Sequence, residues 1–106
     1  QRGIVWPEET APFQIHLIPI ENKKIIKGQT EKIYQNLLNK RIEALYDDRE
    51  EKTAGEKFAE ADLIGIPRRI VISERTLKKN CVEIKRRNKK EAKLIKIKRL
   101  LQFLNF

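Results

Sequence analysis

A chain of 106 residues is sized for one domain, since domains peak at about 100–150 residues. Its 24 Lys and Arg against 15 Asp and Glu leave a formal charge of +9, a field that welcomes nucleic acid, an anionic membrane surface or an acidic protein alike. No apolar run approaches the ~20 residues of a membrane span, no signal peptide is read at the start, and one cysteine excludes an internal disulfide; a cytoplasmic, reducing setting is expected.

The first strand is read at 13–20, a dense apolar run suited to burial on both faces. A helix follows over 29–40, with Ile33 and Leu37, and Tyr34 and Leu38, as i,i+4 pairs and Thr30 as its N-cap. A short strand at 41–46 leads into the acidic turn Asp47-Asp48-Arg49-Glu50-Glu51. The second helix, 54–64, places Phe58, Ala61 and Ile64 on one face and ends at Gly65-Ile66-Pro67. Strands follow at 69–73, 82–87 and 93–98, then a short closing helix around Leu100, Leu101, Phe103 and Leu104. The order is β-α-β-α-β-β-β-α. It implies an α/β fold with a mixed sheet, parallel where strands and helices alternate and antiparallel where the link is short.

Catalytic signatures are missing from this pattern. Neither G-x-G-x-x-G nor G-x-x-x-x-G-K-[ST] occurs, so no phosphate-cradling loop is read. His16 has no second His or Cys to share a metal, and its mid-strand position fits a packed imidazole. Cys81, in the apolar run Cys81-Val82-Glu83-Ile84, fits a buried structural thiol. No catalytic residue, metal site or cofactor is assigned to this chain.

The stretch from Glu74 to Arg99 differs. Glu83, Lys85 and Arg87 alternate along one strand and so share a face, while Val82 and Ile84 point to the core. A carboxylate can accept from the N1–H and N2–H of an unpaired guanine, and Lys or Arg can donate to its O6 and N7. A salt-bridged, solvated strand carries the same residues equally well. Lys89, Lys90, Lys93, Lys96, Lys98 and Arg99 extend the positive field.

Several segments, in order, resemble the C-terminal domain of bacterial-type prolyl-tRNA synthetases, a class II family. They are Gly3-Ile4-Val5-Trp6-Pro7, Ala11-Pro12-Phe13-Gln14-Ile15-His16, Leu45-Tyr46-Asp47-Asp48-Arg49, Gly55-Glu56-Lys57-Phe58-Ala59, Ala61-Asp62-Leu63-Ile64-Gly65-Ile66-Pro67 and Val82-Glu83-Ile84-Lys85-Arg86-Arg87. The resemblance implies a mixed five-stranded sheet flanked by three helices that grips the anticodon loop of proline tRNA. It makes residues 1–12 a connector from a preceding catalytic domain and 13–106 the anticodon-binding domain. ATP and Mg would belong to that N-terminal catalytic domain, and the parent enzyme would be a homodimer. By position, Glu83, Lys85 and Arg87 are assigned to base or loop contact, with Arg75 and Thr76 second. Asp47 and Arg49 are to organise the loop or touch a base, Lys57 to hold phosphate, and Asp62 to support the turn at 65–67. Two departures stand out: Arg41 occupies the position where the family usually ends its first helix with glycine, and the loop 50–54 is one residue longer than usual and lacks a second arginine. The other reading kept open is an accessory protein-interaction module with this fold.

Overall fold

The computed structural model describes residues 13–86 and 91–104. Strand β1 (Ile15–Pro19) is buried along its whole length because it lies inside a five-stranded sheet of order β2-β1-β3-β4-β5. It pairs in parallel with β2 (Ala44–Tyr46) and β3 (Arg68–Ile72). The sheet then reverses: β3 pairs antiparallel with β4 (Cys81–Arg86), and β4 with β5 (Lys93–Lys96). The expected mixed sheet is present, and each strand lies within about three residues of its predicted bounds.

Alternation of side chains sorts the sheet into two faces. One carries Ile15, Leu17, Ile70, Ile72, Val82 and Ile84 into the core, against Ile26, Ile33 and Leu37 of helix α1 (Lys24–Asn39) and Leu100 and Leu104 of helix α4 (Leu100–Leu104). His16, Ile18, Arg69, Val71, Glu83 and Lys85 therefore point the other way. Helix α2 (Ala54–Ile64) is tied to that second face, with Asp62 ion-paired to Arg69 and Lys57 donating to the Pro19 carbonyl at 2.6 Å.

Four local expectations are corrected. Helix α1 begins at Lys24, five residues before the predicted start, so Thr30 is not a cap. Thr30 is buried within the helix and its hydroxyl donates to the Ile26 carbonyl at 2.7 Å. Burial of Ile26 anchors the first turn, and the helix continues through Gly28. In α2 the buried stripe runs through Lys57 and Ala61, leaving Ile64 36% exposed. Helix α3 (Glu74–Leu77), a single turn absent from the predicted order, forms because Ser73 and Thr76 make a capping box. Residues 97–98, expected in the last strand, enter a 3₁₀ turn (Ile97–Arg99) that leads into α4.

The end of α1 explains the shortened second strand. Ile42 N–H donates to the Leu37 carbonyl and Arg41 N–H to that of Leu38, both at 2.9 Å. These are the paired bonds of a Schellman turn, and Leu37 and Ile42 join the core as its apolar clasp. The turn places Arg41 at φ 61, the left-handed region that a side chain resists, at a cost of about 1–2 kcal/mol. Gly28 offers the opposite case. A Cβ there would meet nothing within 4 Å. Gly28→Ala should therefore raise stability by about 1 kcal/mol, read as a higher denaturant midpoint at unchanged slope.

Candidate nucleic-acid interface

On the outer sheet face, β4 sets Glu83 opposite Val71 of β3 and Leu94 of β5, and Lys85 opposite Arg69. Cross-strand partners share a face, so these residues form two adjacent rows. The Glu83 side chain is 26% exposed, and its Oε1 stands 3.7 Å from Nη2 of Arg75, which is 76% exposed. Such an open pair contributes little to stability and can be exchanged for other partners at little cost. Helix α3 positions Arg75: beside the Ser73–Thr76 box, Glu21 Oε1 accepts from Glu74 N–H at 2.6 Å. Thr76 itself is buried and its hydroxyl is engaged with Ser73, so it holds Arg75 in place without facing solvent. Arg87 lies outside the described residues, as do Lys89 and Lys90.

Asp47, Arg49 and Lys57 gather elsewhere, beyond the C-terminal ends of β1 and β2. There Lys27, Glu31, Tyr46, Asp48, Arg49 and Lys57 are among the residues lining a cleft of about 180 Å³. The Arg49 guanidinium forks onto Asp47, Nε to Oδ1 at 2.8 Å and Nη2 to Oδ2 at 2.9 Å, and its Nη2 also reaches Glu60 at 2.5 Å. That hydrogen bonding holds the Asp47 carboxyl below the usual range and raises the already high pKa of Arg49. The Asp47 side chain is only 5% exposed. The Asp47 carboxylate thus holds the backbone N–H and guanidinium of Arg49, and Arg49 staples their loop to α2. Lys57 is buried, with its ammonium donating to Pro19; burial lowers its pKa. It lines the cleft from within, one of its three donors already used.

Two residues not assigned to the site lie between these groups. His16 and Arg69 are register partners on β1 and β3, both buried on the outer-face side. His16 Nδ1 and Arg69 Nε have no hydrogen-bond partner among the described residues. Burial, opposed by the nearby Asp47 charge and assisted by Arg69 and Arg49, takes the His16 pKa down to about 4, so the imidazole is neutral at neutral pH. Asp62, read as a support for the 65–67 turn, forms its ion pair with Arg69. Strand periodicity marks which face Arg69 occupies, but only the register shows that it neighbours Lys85. Cys81 is a buried thiol donating to the Lys79 carbonyl at 3.2 Å, in keeping with a structural role. Among the described residues no group of three or more His, Cys, Asp or Glu is placed to hold a metal, and no helix is long and apolar enough to cross a membrane.

A mixed sheet whose outer face displays a carboxylate among cations, on a chain of net charge +9, defines a polyanion-facing α/β module. The chain belongs to the anticodon binding domain family, whose model matches residues 14–105. It is homologous to a segment of proline–tRNA ligases. It is 43% identical over 106 residues to the proline–tRNA ligase of Legionella pneumophila (strain Corby), and 43% identical over 103 residues to that of Dehalococcoides mccartyi (strain BAV1). These alignments cover 98% and 96% of this chain and 18% of each relative. The chain therefore spans about a fifth of the length of the curated relatives it matches.

Proposed function

We propose that this domain captures the anticodon loop of proline tRNA and reads its guanines, serving a parent enzyme that attaches proline to that tRNA. The observation that carries this reading is 43% identity with proline–tRNA ligases across 98% of the chain. The outer face supplies suitable chemistry. Arg75 and Lys85 can donate to phosphate or to guanine O6 and N7, and Glu83 can accept from guanine N1–H and N2–H. Arg87, following Lys85 by two in the chain, is proposed as a further contact. Asp47, Arg49 and Lys57 shape the neighbouring cleft, where Lys57 can offer its remaining donors to a phosphate. Proline activation with ATP and Mg is assigned to the catalytic domain of the parent, proposed to act as a homodimer in the cytoplasm.

Proline anticodons carry guanine at their second and third positions, which provides a direct test. Anticodon stem-loops with either guanine replaced should bind the 106-residue chain more weakly by about 1–3 kcal/mol, if the contacts match bidentate base readout elsewhere. Fluorescence anisotropy at fixed salt measures this. Equal affinity for loops with and without the guanines would reduce the interaction to unspecific polyanion capture. Stable pairing with a protein subunit, without RNA affinity, would favour an accessory module.

A further inference from the structure

We propose that Leu94 is a nucleobase-contact residue, an aliphatic seat on which one base of the bound RNA loop packs while Glu83, directly across the strand pair, accepts that base's donors. The inference rests on the anticodon-binding reading and deepens it by naming a specificity residue. Val71, Glu83 and Leu94 form one cross-strand row on the outer face. Along that row exposure rises from 8% at Val71, through the part-buried Glu83, to 50% at Leu94. The carboxylate therefore stands at the boundary between the covered and the open part of the sheet. Its open side is bordered by leucine.

Strand β5 is an edge, where charged side chains are the usual protection against unwanted pairing. Lys93 and Lys96 fit that pattern, and Ile95 packs against the core. Leu94 fits neither role, since it points away from the core and stays half exposed. The occupant is indicated by the surrounding charge. Arg75, Lys85 and Lys96 attract a phosphate chain, yet Glu83 repels phosphate and can only accept hydrogen bonds. A base with adjacent donors satisfies both, and guanine is the one with an N1–H beside an N2 amine. Packing on Leu94 removes water from beside the Glu83 carboxylate, which strengthens the hydrogen bonds formed there.

Leu94→Ala and Leu94→Lys test the proposal in the 106-residue chain, with thermal melts to show that each variant folds. The probes are an anticodon stem-loop with both guanines and two loops abasic at one guanine each, titrated by anisotropy at fixed salt. Leu94→Ala should bind the intact loop about fivefold more weakly and bind one abasic loop as well as the unaltered protein does. Leu94→Lys should lose the same discrimination although it gains a positive charge. Unchanged discrimination in Leu94→Ala, or uniformly tighter binding by Leu94→Lys, would overturn the role of Leu94 and leave anticodon recognition intact. If the unaltered protein itself fails to distinguish the loops, the anticodon reading falls and the proposal with it.

Discussion

Acidification from pH 7 to pH 4 should cost this domain about 3 kcal/mol of folding stability through His16 alone. The imidazole titrates near 6.5 when the chain is unfolded and at about 4 when buried in the sheet. Between those values the unfolded state binds the additional proton, so stability falls as pH falls through the window. A gap of ~2.5 units corresponds to about 3 kcal/mol at 1.36 kcal/mol per unit. Asp47 acts at lower pH: its folded pKa is depressed, so its contribution is present above about pH 4 and is lost as pH drops through the folded value. His16→Gln should flatten the stability profile between pH 6.5 and 4, measured by urea unfolding at stepped pH. His16 is the sole histidine, so its ring proton resonance can also be followed directly. A midpoint near 6.5 in the folded protein would overturn the prediction.

Charge reversal at Lys85 should weaken binding of the proline anticodon stem-loop by about 2–3 kcal/mol, roughly 30- to 150-fold at moderate salt, as expected for losing a charge-assisted hydrogen bond and adding repulsion. Lys85 lies two residues from Glu83 on the outer face and opposite Arg69, next to the proposed base contact at Glu83. Lys32→Glu is the matched control. It changes net charge equally, but Lys32 is exposed on α1, which covers the other face of the sheet. A local contact predicts a large effect at Lys85 and a small one at Lys32, together with a shallower salt dependence for the Lys85 variant. Equal losses would mean that the RNA senses only the overall field, and the site would move off β4.

Much of the architecture was legible because its signals are local. The run at 13–20 announced a strand buried on both faces, and the Gly65 stop defined the end of α2, where its φ of 74 suits glycine. The alternation of Val82 and Ile84 with Glu83 and Lys85 assigned the two faces of β4 before any partner strand was known. The errors arose where distant contacts outweighed local preference. Helix α1 is read from 29 but begins at Lys24, because burial of Ile26 in the core extends it by more than a turn through Gly28. The turn at 74–77 lacks an apolar period and exists through caps from Ser73, Thr76 and Glu21.

Charge, strand alternation and the ordered resemblance determined by themselves that this is a basic α/β module with a carboxylate set among cations. They also placed Glu83 and Lys85 together, because a period of two depends on backbone geometry alone. Tertiary structure decided which candidate side chains remain available. It turned Thr76 inward and engaged Asp47, Arg49 and Lys57 in the support of a loop and cleft. It also brought Arg69 beside Lys85 and Leu94 beside Glu83. Register and burial come from pairing residues far apart in the chain. No window of sequence contains them.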